Sequence, residues 1–220
     1  MRMNIFILVG VTASSLCLLP MPSSAQESGD RLAKQALEEC HRGRLATDRG
    51  TRHAHFQQGQ VFGERAVEAN EGNADAHFAL FCNLGELLRI DGESFTSLFG
   101  LRRMMNELDR ALEINPAHID ALSAKGTLLV KLPKILGGDA EKGEALLEHV
   151  VSRAPKAVNA RLSLAKVRCE HGRHQEAMTL ATDALALAQK YDRPDFIPEA
   201  RAMLEQLQAN AAKASHKARF

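Results

Sequence analysis

The chain has 220 residues, 45% of them hydrophobic and 25% charged, which places it among folded globular proteins and outside the disordered and fibrous classes. Its 28 Lys and Arg stand against 27 Asp and Glu, a formal charge of +1 that argues against a chain devoted to coating nucleic acid or an anionic membrane. Aromatic residues are 5%, with no Trp and Tyr191 the single tyrosine, a poor composition for a β-sandwich or a base-stacking face, so helix is the default class.

Residues 1–25 contain one base, Arg2, and no acid. An apolar stretch from Ile5 to Leu19 runs into Pro20-Met21-Pro22, and Ser23-Ser24-Ala25 supplies the small residues that precede a signal-peptidase cut. The stretch is shorter than the ~20 residues that span a bilayer. The expectation is a cleaved signal peptide over 1–25 with a mature start at Gln26. An uncleaved anchor and a lipidated Cys17 are the competing readings, the second opposed by Leu16 where a small residue is wanted. Cleavage leaves 27 bases against 27 acids and no later run long enough to cross a membrane. Export implies the periplasm of a Gram-negative cell, with an extracellular location as the alternative.

Apolar residues then recur at helical spacing, predicting helices over 30–43, 53–70, 74–90, 98–114, 117–131, 140–153, 157–171, 174–190 and 196–211. In the second, Gly59 and Gly63 lie four apart and imply close helix packing. Between the fifth and sixth, Pro133 disfavours helix before it, Gly137-Gly138 turns the chain, and Asp139 can cap the sixth helix. The last carries Ile197, Ala200, Met203, Leu204 and Leu207 on one face and should cap the domain at 26–211. The tail 212–220 has no recurring apolar face and is expected to fray.

These helices repeat. The run from Ala66-Val67-Glu68-Ala69-Asn70 to Asp75-Ala76 aligns without a gap on Ala111-Leu112-Glu113-Ile114-Asn115 to Asp120-Ala121, with further copies at Val150-Val151 and Ala184-Leu185. The last spacing, Val150 to Ala184, is the 34-residue tetratricopeptide period. The fourth unit carries Leu164-Ala165, Gly172 at the turn, then Ala177 and Ala184. Small residues there let antiparallel helices approach, and Gly172 ends a helix in a left-handed turn. The chain thus resembles the tetratricopeptide-repeat (TPR) family. The implied fold is an all-α solenoid of stacked antiparallel helix pairs, about four irregular units plus a C-terminal capping helix. Phe81, Met104 and Gly143 depart from the family pattern. The longer spacings place insertions within units, at Asp91–Ser97 and Leu132–Asp139. The second insertion and the phrase Asn73-Ala74-Asp75-Ala76-His77-Phe78 are also similar to the periplasmic T component of TRAP transporters and to microtubule-dynamics-regulator repeats.

In such solenoids the first helices of successive units line a concave face. Carried over unit by unit, the family's groove positions are Asp75, Phe78, Cys82 and Glu86; Asp120, Ser123, Thr127 and Lys131; and Asn159, Leu162 and Lys166. The resemblance implies a non-enzymatic scaffold holding a protein or peptide segment there, with Phe78 as its large aromatic. The alternative is an accessory of a periplasmic solute transporter, partnered with a solute-binding subunit, that encloses a small, partly apolar ligand. Phe78 and Phe81 with Phe95 and Phe99 of the insertion would then form a pore.

Cys40, Cys82 and Cys169 remain after cleavage, an odd number. Cys82 and Cys169 are two units apart, ~20 Å at 8 to 10 Å per helix, beyond disulfide reach. Small apolar packing residues, or a Cys40–Cys82 bridge, stay open. A redox role for a free Cys82 is a weaker third reading. His53 and His55 lie two apart and His171 and His174 flank a turn, neither a ligand geometry, so no metal is expected. No phosphate-binding, nucleophile-elbow or metalloprotease motif occurs, so neither cofactor nor enzyme activity is expected, nor a nucleic-acid partner.

Overall fold

A computed structural model describes residues 24–90 and 98–217. Most of the predicted signal peptide and the insertion at 91–97, Phe95 included, lie outside the described residues. Those residues form nine α-helices and no strand: α1 (Ser24–Leu45), α2 (Arg49–Ala69), α3 (Ala74–Ile90), α4 (Leu98–Ile114), α5 (Ile119–Lys131), α6 (Ala140–Arg153), α7 (Val158–Glu170), α8 (His174–Lys190) and α9 (Ile197–Lys217). None is long and apolar enough to cross a membrane. Helix α9 runs to Lys217, past the predicted end at 211, because its last turns are built on alanine, the strongest helix former.

The helices pack as antiparallel pairs, α1 with α2 through α7 with α8, and α9 closes the stack against α7 and α8. Small residues set the spacing. Ala165, Ala177, Ala181 and Ala184 are fully buried. A side chain on Gly63 would come within 3.0 Å of the Leu80 backbone. Gly172 holds φ +74° between α7 and α8, the left-handed turn its position calls for. In the α5–α6 connection Gly137 takes φ +89°, and the Asp139 carboxylate accepts from the Lys142 N–H at 3.1 Å to cap α6.

Helices α1, α3, α5 and α7 line the inside of the curve. The first unit is pinned to the second by a Cys40–Cys82 disulfide with Cα atoms 6.3 Å apart, so these two cysteines are a bridge between α1 and α3 and Cys82 is not a free thiol. Beside it, Asn83 donates to the carbonyls of Ala36 and Ala79 at 2.9 Å each, from space that exists only because Gly59 has no side chain. The curve is tight. Helix α1 meets the 3-10 turn Pro194–Phe196 that precedes α9, where Arg44 Nη1 lies 3.8 Å from Asp195 Oδ2.

Candidate functional site

Three hollows of the concave face gather most of the sequence-predicted residues. Between the first half of α1 and the N-terminal ends of α3 and α5 is a vestibule of about 380 Å³, lined by Asp30, Lys34, Asp75 and Asp120 and by the apolar Leu37 and Phe78. His118 closes one side, its ring 4.9 Å from that of Phe78 and its Nε2 3.0 Å from Asp75 Oδ1. It also caps α5 by accepting from the Ala121 N–H.

Leu37, Phe78 and Asp120 also belong to the wall of a deeper chamber of about 170 Å³. Its apolar side is Phe78, Phe81, Ala124 and Phe196, with the Phe78 and Phe81 rings stacked at 5.8 Å. Its polar side is His41, Arg44, Asn159 and Arg193. The Asp195 carboxylate is buried between Arg193 and Arg44, and Arg44 also donates to Glu86 at 2.8 Å. Burial holds His41 below the usual imidazole range. Asp195 pulls it back up, while Arg193 and Arg44 push it down, so the ring is held toward its neutral form.

The third hollow, about 250 Å³, lies between α5 and α7 near their C-terminal ends and is lined by Thr127, Val130, Lys131, Ser163, Lys166 and Glu170, with Val167 below. Thr127 Oγ1 donates to the Ser123 carbonyl and stands 2.6 Å from Ser163 Oγ. Lys166 pairs with Glu199. The Lys131 ammonium is held below the ordinary lysine range, first by the walls that displace water around it and then by Lys166; Glu199 and Glu170 offset part of this.

The sequence-predicted residues therefore divide. Asp75, Phe78, Asp120 and Asn159 meet around the vestibule and chamber, and Cys82 forms part of the chamber wall from within its disulfide. Thr127, Lys131 and Lys166 meet in the third hollow. Glu86, Ser123 and Leu162 line none of the three. Glu86 is buried in ion pairs with Arg44 and Arg89, Ser123 bonds back to the Ile119 carbonyl, and Leu162 packs under Ala184, Ala188 and Phe196. Tight curvature turns these positions into the stack. Nor does Phe99 reach the chamber; it is 88% exposed. His77 is buried and bonded to Glu107 at 2.7 Å and the Glu71 carbonyl at 2.9 Å, a structural histidine. Among the described residues no three His, Cys, Asp or Glu are arranged to hold a metal ion.

Sequence reasoning missed Leu37, His41 and Arg44 of α1 and Arg193 and Phe196 of the last turn. The α1 residues recur three and four apart, Leu37, His41 and Arg44, which marks one helix face. Nothing local to Arg193 or Phe196 signals that they meet that face across the curve.

No family model and no curated protein matches the sequence. Among solved structures, the chain is similar to PilF of Pseudomonas aeruginosa, at 16% identity and TM-score 0.52 over 84% of this chain and 78% of that one. It is also similar to a MamA RS-1 double mutant (13% identity, TM-score 0.45, 86% and 97% covered) and to YrrB, described as a TPR protein with an unusual peptide-binding site (14%, 0.41, 90% and 99%). At 16% identity the likeness to PilF is one of fold, an all-α solenoid of antiparallel helix pairs.

Proposed function

We propose that the chain is an exported, non-enzymatic scaffold that holds a segment of a partner protein on its concave face and seats one apolar side chain of that segment in the chamber beside Phe78, Phe81 and Phe196. The chamber carries the reading. At about 170 Å³ it is smaller than the ~300 Å³ at which ligand pockets usually begin, and it suits one anchoring side chain while the open vestibule takes the flanking backbone. Two observations support export to the periplasm. Residues 1–25 have the pattern of a cleavable signal, and a structural disulfide persists in an oxidising compartment.

A second reading has one observation in its favour. The Arg44–Asp195 contact closes the curve over the chamber, as enclosure of a small, partly apolar solute by a transporter accessory would need.

The experiment is affinity purification of the exported chain and its Phe78→Ala variant, with mass spectrometry of co-purifying proteins and extracted small molecules, followed by titration of the partner found. The isolated chain should begin at Gln26. Phe78 also packs on the core, so circular dichroism must show the variant folded. Loss of a buried aromatic anchor at 2 kcal/mol or more lowers affinity roughly 30-fold. Unchanged affinity in a folded variant overturns the site, and a small molecule in place of a protein favours the second reading.

A further inference from the structure

In the deeper chamber both arginines are taken, while three acceptors stand idle. Asp195 lies 3.3 Å from Arg193 and 3.8 Å from Arg44, and Arg44 also donates to Glu86, so neither arginine is free for an incoming anion. On the same wall His41 and Asn159 have no hydrogen-bond partner among the described residues, and Asp120, in the first turn of α5, makes no ion pair among them. Their polar atoms are not sealed in the packing, so they stay open to a guest. Each of the three can accept a hydrogen bond: a carboxylate, an amide carbonyl, and the bare nitrogen of a neutral imidazole. What the wall lacks is a donor. A cation is a poor one here. Protonated His41 would be such a cation, and burial, then Arg193 and Arg44, outweigh Asp195 and Asp120 in holding it toward its neutral form.

We propose that the chamber is a subsite for a phenol, an uncharged ring seated among Phe78, Phe81 and Phe196 whose hydroxyl donates to an acceptor offered by Asp120, Asn159 or His41. The opposite wall favours a ring. Phe78 and Phe81 stack at 5.8 Å, and Phe196 lies under the Arg193 guanidinium at 4.7 Å, so an aromatic guest gains offset and edge contacts beyond the area it buries. A phenyl group would fill the same space and leave all three acceptors facing a hydrocarbon edge. The inference deepens the proposed function and rests on it for the source of the phenol, the side chain of a tyrosine in the bound segment. A free phenolic solute carries the same chemistry under the second reading.

The test titrates N-acetyl-tyrosinamide, N-acetyl-phenylalaninamide, N-acetyl-lysinamide and p-cresol into the full mature chain, read by NMR of the His41 ring. The tyrosine derivative should shift the His41 signals saturably and bind about tenfold tighter than the phenylalanine derivative, the worth of one hydrogen bond to an otherwise bare acceptor. The lysine derivative should bind no tighter than the phenylalanine one. Asn159→Leu and Asp120→Ala, each shown folded by circular dichroism, should together cut the tyrosine preference to about threefold or less. Equal affinity for the tyrosine and phenylalanine derivatives, a preference that survives both substitutions, tighter binding of the lysine derivative, or shifts that fail to saturate overturn the subsite. p-Cresol separates the sources, and either result keeps the phenol subsite. Weaker binding than the blocked tyrosine favours a segment with backbone in the vestibule, and equal or tighter binding favours a free solute. The Phe78→Ala partner titration is read separately. Phe78-dependent partner binding without a tyrosine preference removes only this inference, and a tyrosine preference with Phe78-independent partner binding removes only the proposed anchor.

Discussion

At Gly126 two rules of helix chemistry give opposite signs. Helix propensity says that Gly→Ala inside a helix gains about 0.5–1 kcal/mol. Packing says otherwise, because a Cβ there would stand 2.8 Å from Leu147 Cγ and 3.2 Å from the Gly143 carbonyl oxygen. Leu147 is fully buried and cannot retreat, so packing wins. Gly126→Leu is expected to cost ~1–3 kcal/mol, and Gly126→Ala, which the sequence alone makes mild, to destabilise as well. Urea midpoints check both; an alanine variant at or above the parent midpoint would contradict the close α5–α6 contact. In the third unit Gly126 stands where the fourth has Ala165, so the repeat register itself marks it as a contact position. The facing Gly143, whose Cβ would meet the Gly126 carbonyl at 2.8 Å, looked in the sequence like a departure from the pattern. The pair explains both: each gives the other's backbone room.

Among the elements, α1 is the one whose place depends most on a single covalent link. The Cys40–Cys82 bridge spans a sequence separation of 42, and closing a loop of that length in the unfolded chain stabilises by ~4 kcal/mol in the chain-entropy model. Replacing both cysteines with alanine should lower stability by that order and loosen α1 before any other helix. Hydrogen exchange should show protection lost first in Ser24–Leu45, and uniform loss across the chain would contradict the view of α1 as the clamped element. The order of helices and most of their ends were legible from apolar spacing and turn residues, as at Gly172 and Asp139. The bridge was not, since three cysteines leave parity undecided and the choice depends on the register of α1 against α3. Asn83 and Gly59 set that register, and although Gly59 and Gly63 mark a close contact in the sequence, nothing local to them says which helix it faces.

For the whole molecule, curvature decides what the concave face can do. A gentler superhelix would leave Phe78 on an open groove and Ser123 and Leu162 exposed along it, as unit-by-unit transfer predicts. Here α1 touches the turn before α9, the groove narrows to a vestibule and a chamber, and those two residues are buried. Curvature is the sum of small rotations at each pair of helices, so no local sequence pattern encodes it. Asp75, Phe78, Asp120 and Asn159 were legible from the repeat register, whereas the α1 residues Leu37, His41 and Arg44, and Arg193 and Phe196 brought to them across the curve, were not. The central claim, that a partner segment enters the chamber beside Phe78, is tested most directly by photo-crosslinking in the living cell. A benzophenone side chain at position 78 is compared with one at exposed Arg110 of the outer helix α4. A discrete protein adduct is expected from position 78 and none from position 110. The reverse pattern, an adduct from the outer face alone, would contradict it.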